Sequence, residues 1–170
     1  MSKITTTAAR LILLTIVCGN TQLSAATKGA PPAAKSSGKK SHYERAVELY
    51  TLGPSKAAEI LREVDLELAE RPGNSGAYIV KAMTLMGVSR CPEALKVVKQ
   101  LEDAPGLKGK VFPAAINVRA RCLYYDGKYA EAKAALEPFR ESFQQKEEWR
   151  KHYSSLMQAI DKALQSGGKQ

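Results

Sequence analysis

Small residues recur in this chain at a nearly constant spacing, and this recurrence constrains the fold more than any other feature of the sequence. Ala58, Ala94 and Ala132 are separated by 36 and 38 residues, and each has a second alanine twelve residues before it, at Ala46, Ala82 and Ala120. One small residue on each of two antiparallel helices lets the backbones approach closely, so each pair predicts a helical hairpin. A fixed period of this length is typical of hairpins that stack on their neighbours to bury their apolar faces.

The third hairpin is the clearest, in residues 116–136, INVRARCLYYDGKYAEAKAAL. Its two helical segments are joined by Asp126-Gly127-Lys128. Gly127 stands where the first helix must end, and a residue without Cβ adopts a left-handed conformation there at no steric cost. A leucine also follows each first-helix alanine by three residues, at Leu49, Leu85 and Leu123.

These residues resemble the tetratricopeptide repeat (TPR) family, best in YYDGKYAEAKAAL and next best in AYIVKAMTLMGVSRCPEALKVV. The resemblance covers about residues 42–146. It implies an all-α fold, a right-handed α-solenoid of about three TPR-like hairpins, with a C-terminal capping helix completing a domain over residues 42–166. Repeats of this kind are scaffolds, so the motif does not name a partner.

Three further expectations concern individual helices. In the second helix of the first hairpin, which begins near Pro54, the apolar stripe predicts that Glu59, Glu63 and Glu70 face water. Pro138 predicts a kink or break near Glu137, because proline removes a helical hydrogen bond. The last helix, about residues 146–165, carries an apolar face of Trp149, Tyr153, Leu156, Ile160 and Leu164.

Residues 1–26 have the layout of a cleaved secretory signal. Lys3 and Arg10 precede or begin a short apolar segment, and small residues follow at Ala25 and Ala26. The apolar run is shorter than the roughly 20 residues that span a bilayer, so a permanent membrane anchor is not expected. The sequence therefore predicts a periplasmic or secreted protein. Lipoprotein attachment at Cys18 and a mitochondrial presequence are the weaker alternatives.

Residues 27–41, TKGAPPAAKSSGKKS, predict a disordered basic linker rich in Pro, Ala and Lys, and residues 167–170 a disordered tail. The net charge of the whole chain is +9, but residues after 41 carry 20 basic and 17 acidic side chains, a net +3. Most of the positive charge therefore belongs to the signal and linker. Such a distribution disfavours nucleic-acid binding, and it leaves open a linker that is merely solvated or one that touches an anionic polymer or lipid.

The resemblance also implies a concave groove lined by the first helices. The corresponding positions in this sequence include Tyr, Met and Arg residues, which are types that suit a protein or peptide partner. Arg121 and Asn117 would bind a carboxylate or backbone groups. The alternative is that these side chains pack against one another, or against the linker or last helix, and bind nothing. The expected groove residues are Tyr43, Val47, Tyr50, Ile79, Met83, Met86, Asn117, Arg121 and Tyr124.

Cys91 and Cys122 remain once the signal is removed. Cys91 begins the second helix of the second hairpin, and Cys122 lies late in the next helix, so both are expected at the same end of the bundle. A disulfide needs Cα atoms about 4.4–6.8 Å apart, which adjacent helices can only just provide. A disulfide and two buried thiols are therefore both open.

No motif for catalysis, a metal or a cofactor is present. His42 and His152 are the only histidines, and His152 is expected on the exposed part of the last helix. Adjacent carboxylates such as Glu147 and Glu148 are typical of a solvated helix face. The sequence therefore favours a protein-interaction scaffold over an enzyme. The alternatives are a structural or assembly subunit, such as a homo-oligomer, that uses its outer faces, and an envelope factor that binds anionic polymer through the linker.

Overall fold

The structure, a computed structural model, describes residues 40–167. Every regular element in that range is a helix. Two short 3-10 segments, Pro54–Lys56 and Glu137–Phe139, lie at the start of one α-helix and the end of another. The α-helices are α1 His42–Thr51, α2 Ala57–Glu70, α3 Ser75–Gly87, α4 Cys91–Asp103, α5 Pro113–Tyr125, α6 Tyr129–Leu136, α7 Arg140–Gln144 and α8 Glu147–Gln165.

Three hairpins, α1–α2, α3–α4 and α5–α6, turn at equivalent positions. Gly53, Ser89 and Gly127 each lie seven residues after the recurring first-helix alanine, and they have φ values of 104°, 62° and 75°. The expectation for Gly127 is confirmed. Ser89 is the one non-glycine residue of positive φ among the described residues, and a side chain in that conformation costs free energy that glycine avoids.

The recurring alanines are buried at five of their six positions. Ala46, Ala82 and Ala120 are at most 1% exposed, as are Ala94 and Ala132. Ala58 is exposed, so its predicted equivalence with Ala94 is wrong. The first turn contains an extra 3-10 segment, which delays α2, and Ile60, not Ala58, is buried in the core.

Helices that follow one another along the chain pack against one another. Besides the three hairpin pairs, α2 contacts α3 and α4 contacts α5, while the first helices also contact each other, α1 with α3 and α3 with α5. One continuous apolar core runs through these contacts, from Ala46 to Ile160.

The break predicted at Pro138 is present. Helix α6 ends at Leu136, the 3-10 segment follows, and α7 begins at Arg140. Helix α7 is only five residues long, but its Phe143 is fully buried and stacks on Tyr153 of α8, with ring centroids 5.2 Å apart. Helix α8 then packs along α6 and also touches α5. Four of its five predicted apolar residues are buried, and Leu164 is 40% exposed.

Two glutamates are buried between α1 and α2, which the sequence did not predict. Glu63 is only 6% exposed, so the expectation that it faces water is wrong. Its Oε2 lies 2.8 Å from Nδ1 of His42 and accepts a hydrogen bond of 2.8 Å from Nε of Arg45. These partners come from α1, and they make burial of a carboxylate tolerable because they stabilise its charge.

Glu67, one turn further along α2, is completely buried. It accepts hydrogen bonds from the backbone N–H of Tyr43 at 3.0 Å, from Arg71 at 2.7 Å and from Nδ2 of Asn74 at 2.5 Å. Asn74 is also the N-cap of α3. Glu67 therefore joins the start of α1 to the start of α3.

The predicted signal, most of the linker and the last three residues of the tail lie outside the described residues. Ser41, assigned to the linker, forms a capping box with Glu44 at the start of α1. No helix within residues 40–167 is both long enough and apolar enough to cross a membrane.

Candidate functional site

A cavity of about 670 Å³ lies mainly at the end of the bundle where the hairpins turn. Its walls come from the ends of α1 and α3, the start of α4, one side of α5 and the first turns of α8. This volume falls within the usual range for a site that encloses most of a small ligand, about 300–1,000 Å³. We call it the turn cavity.

The wall of the turn cavity is mostly apolar. It includes Ile60, Met83, Met86, Leu95, Leu123 and Trp149. Unbranched methionine side chains adapt to ligands of irregular shape, and a tryptophan ring offers a large rigid contact area. An apolar segment of a ligand would therefore be accommodated along most of the wall.

The nine groove residues expected from the sequence divide into two groups. Tyr50, Met83, Met86, Asn117 and Arg121 line the turn cavity. The others do not line it: Tyr43, Val47, Ile79 and Tyr124. Tyr43 and Val47 pack half-buried against the core, Ile79 is buried, and Tyr124 packs its ring against Tyr129 at 5.4 Å. The first helices thus contribute to one site, but with fewer residues than the expected groove.

Asn117 and Arg121 form the polar part of the wall. They are one helical turn apart on α5, so their side chains share a face. Nε of Arg121 donates a hydrogen bond of 3.0 Å to Oδ1 of Asn117. Because Nε–H can only donate, this bond identifies the oxygen end of the amide and holds the guanidinium in place.

The other end of that amide is unpaired. Asn117 is 4% exposed, and its Nδ2 is buried without a hydrogen-bond partner among residues 40–167. A buried donor left unpaired costs about 1–3 kcal/mol, so this amide group is a polar group that the described residues do not satisfy.

The charge of Arg121 is also uncompensated by any described carboxylate. Arg119, two residues earlier, donates to both carboxylate oxygens of Glu102 at 2.6 and 2.7 Å. Arg121 has no carboxylate within 4 Å in the described part of the chain, and its hydrogen bond to Asn117 is to a neutral group. A half-buried guanidinium in an apolar wall, with donors left over, is suited to bind an anion.

Helix α8 supplies His152 to the same wall, beside Trp149. The sequence predicted His152 on the exposed part of that helix, which is wrong: the residue is half-buried in the cavity wall. Burial and the positive charge of Arg121 lower the pKa of His152, and the negative charge of Glu148 opposes this shift. The imidazole is therefore mainly neutral at neutral pH.

Tyr50 adds a hydroxyl group without adding charge. Burial raises the pKa of Tyr50 to about 12, so the phenol stays protonated throughout the physiological range. It can donate or accept a hydrogen bond at the α1 side of the cavity.

Cys91 and Cys122 both line the turn cavity, at the start of α4 and in the last turn of α5. Their Cα atoms are 5.3 Å apart, and their sulfur atoms are joined in a disulfide. The bond fixes two walls of the cavity relative to one another.

Sequence reasoning missed the contribution of α8. The repeat pattern selects residues on the first helices, whereas His152 and Trp149 belong to a helix outside the repeat. One signal was available in the sequence. Trp149 and His152 are three residues apart and therefore lie on the same side of the last helix, although Trp149 was assigned to the apolar face and His152 to the exposed part.

No three His, Cys, Asp or Glu side chains within residues 40–167 are grouped so that they could hold a metal ion. Comparisons with protein-family models, with curated proteins and with solved structures found nothing that matches this chain. The site is therefore interpreted from its own chemistry.

Proposed function

We propose that this protein is a secreted or periplasmic interaction scaffold, and that its turn cavity binds a segment of a partner peptide or protein through a carboxylate flanked by apolar side chains. The observation that carries the proposal is Arg121. It is held by Asn117 in an apolar wall and has no described carboxylate partner.

The proposal includes a TPR-like α-solenoid. Its support is the order of contacts, in which each hairpin packs on the next and the first helices contact one another in sequence. The equivalent positive-φ residues Gly53, Ser89 and Gly127 add to this support, since each hairpin turns at the same point of its repeat. A solenoid presents a preformed surface, which lowers the ordering cost of binding an extended partner.

A carboxylate is favoured over other ligand groups because of the charge and hydrogen-bond balance. The polar atoms of Arg121 that remain unpaired are all donors, so they require an acceptor, and its positive charge requires an anion. The methionine, leucine and tryptophan side chains around them favour apolar neighbours of that acid.

The proposed location follows from the signal-like residues 1–26. The disulfide between Cys91 and Cys122 supports it, because structural disulfides persist mainly in oxidising compartments such as the periplasm or the cell exterior.

Selection from a displayed library of random dodecapeptides tests the function while the natural partner is still unidentified. The chain from residue 27 onwards, with its disulfide intact, is the bait. We expect enriched peptides to carry Asp or Glu beside apolar residues. We expect Arg121→Glu to weaken binding of synthetic copies at least tenfold, because a charge-assisted bond is lost and repulsion is gained.

The matched control is Arg150→Glu. Arg150 is exposed on α8 and does not line the cavity, so the same change of net charge should leave peptide affinity unaltered. Met83 also lines the cavity, but Met83→Glu is not a suitable binding variant, because the residue is only 5% exposed and the change would disturb the core. A library that yields no acidic consensus, or peptides that bind both variants equally well, would contradict the proposal.

A second candidate function, assembly through the last helix, has its own structural basis. Leu164 is 40% exposed at the end of α8, beside a shallow cavity of about 280 Å³ that includes Tyr129 and Ala130 of α6. Analytical ultracentrifugation of the native chain and of Leu164→Glu tests this candidate. A concentration-dependent dimer that Leu164→Glu abolishes would favour assembly.

A further inference from the structure

His152 is a titratable residue of the turn cavity that has no part in the proposed binding of a carboxylate by Arg121. It approaches the cavity from α8, whereas Asn117 and Arg121 approach from α5. The side chain of His152 makes no hydrogen bond or ion pair within 4 Å in the described residues, whereas His42 contacts Glu63 and Glu70. The imidazole is therefore available to a ligand.

We propose that the anionic group of the ligand binds between Arg121 and His152, and that binding is accompanied by uptake of a proton on His152. This inference rests on the proposed function and adds a regulating residue to the same site. Its consequence is that the cavity binds anions more tightly in mildly acidic solution.

The reason lies in the charges around His152. Without ligand, burial and Arg121 keep its pKa below the ordinary value. An anion placed between the two side chains offsets the charge of Arg121 and adds an attractive partner for imidazolium, so the pKa of His152 is higher in the complex. Affinity then rises as the pH falls through the pKa of the complex, and it becomes constant below the pKa of the free protein.

No other charged group near His152 produces the same dependence. Within α8 it faces Glu148, whose negative charge already opposes the lowering of the His152 pKa. In the turn between α5 and α6, Asp126 and Lys128 line the cavity but pair with each other at 2.6 Å. The charged groups of the α6 and α7 region are Lys133, Glu137 and Arg140, which act instead on the neighbouring Tyr153.

A matched pair of dyes provides the test. 8-Anilinonaphthalene-1-sulfonate is an apolar anion whose sulfonate does not titrate between pH 5 and 8, and N-phenyl-1-naphthylamine has the same rings without the charge. Fluorescence titration of the full chain after residue 26 gives the affinity for each dye. We expect the anion to bind about fivefold more tightly at pH 5 than at pH 7.5, and the neutral dye to show no such change.

Three variants assign the effect. His152→Gln should remove the pH dependence, whereas His42→Gln, the same change at the histidine that contacts Glu63 and does not line the cavity, should preserve it. Arg121→Gln should weaken binding of the anion at every pH. Near-ultraviolet circular dichroism at each pH verifies that the dyes report on native protein.

The outcomes separate this inference from the proposed function. If the anion binds equally tightly at pH 5 and pH 7.5 but Arg121→Gln weakens its binding, the inference is overturned while the proposed function stands. If Arg121→Gln leaves binding of the anion unchanged, both fall. A pH dependence that survives His152→Gln also overturns the inference. NMR titration of the His152 ring needs no variant: its pKa should rise when the anionic dye is added, and an unchanged pKa contradicts the proposal.

Discussion

Glu63 is buried between α1 and α2 and yet remains ionised, because its hydrogen bonds to His42 and Arg45 favour the charged form. These bonds lower the pKa of Glu63 to about 2. A carboxylate with a depressed pKa stabilises the folded state above its unfolded pKa of roughly 4.3, and this contribution is lost as the pH falls towards 2. Arg45 is partly exposed and Arg62 is largely exposed, and solvent screening reduces the effect to about 2 kcal/mol.

We therefore expect Glu63→Gln to lower the free energy of unfolding by about 2 kcal/mol at pH 7 and by much less at pH 2. Urea unfolding at both pH values measures this difference. Glu59→Gln is the control, because Glu59 is exposed in the first turn of the same helix and its one ion pair among residues 40–167 is with Lys56. An equal loss for Glu63→Gln at both pH values would show that the contribution is not electrostatic.

The buried polar residues were the least predictable part of the sequence. Helical periodicity on α2 assigns Glu63 to the water-facing side, and its partners are 18 and 21 residues earlier in the chain. Only the antiparallel packing of α1 on α2 brings them together. His152 was missed for a similar reason, since its environment depends on where α8 crosses α5, and no local pattern specifies that crossing.

Helix α8 packs on the preceding helices through an apolar face, and Asp161 of α8 also pairs with Lys133 of α6 at 2.8 Å. Ile160 is fully buried in that face, and Leu164, one turn later, is 40% exposed. We expect Ile160→Ala to destabilise the protein by about 3 kcal/mol, because it leaves a cavity in the core. We expect Leu164→Ala to cost about 1 kcal/mol or less, since much of the side chain is already in water.

Chemical denaturation of the two variants measures both values, and near-ultraviolet circular dichroism shows whether Trp149 and Tyr153 keep their packing. Equal losses for the two alanine variants would mean that α8 is not held as the burial pattern indicates. A loss confined to Leu164→Ala would instead favour its burial in an oligomer.

The helices could be predicted from the sequence because the residues that end them, and the helical spacing of their apolar residues, are local features. Gly127 ends α5, Pro138 ends α6, and the apolar residues of α8 recur at helical spacing. The equivalence of Ala58 with Ala94 failed because turn length is set by backbone geometry, and the 3-10 segment at Pro54–Lys56 adds residues that a repeat count does not detect.

The disulfide crosslinks the second hairpin to the third across a sequence separation of 31 residues. Closing a loop of this size reduces the entropy of the unfolded chain, which corresponds to about 3.5 kcal/mol of stability. We expect reduction by a phosphine to lower the free energy of unfolding by about that amount, measured by urea titration with and without the reductant.

The Cys91→Ser/Cys122→Ser double variant should match the reduced protein and should not respond to reductant. Identical unfolding midpoints for the oxidised and reduced native chain would contradict this expectation. Ligand binding by the same samples shows whether the turn cavity needs the disulfide, since both cysteines lie in its wall.

At the level of the whole chain, the repeat predicted that the first helices share a ligand-facing side, but it did not predict how that side is closed. Tyr50, Met83 and Arg121 do line one cavity. Tyr43 and Val47 pack against the core instead, and α8 covers a region that a repeat array alone would leave open. The closure of the ligand-facing side therefore depends on α8, which lies outside the recurring pattern.

Because the turn cavity takes its walls from α1 near one end of the described chain and from α8 near the other, it exists only while the entire bundle is folded. Any molecule that occupies it must therefore raise the melting temperature. At a concentration of 100 times its dissociation constant, a ligand adds about 2.7 kcal/mol of stability, a shift on the order of 10 °C for a domain of this size. Thermal melting in the presence of candidate metabolites and peptides thus screens for the ligand directly, whatever the pathway in which the protein acts.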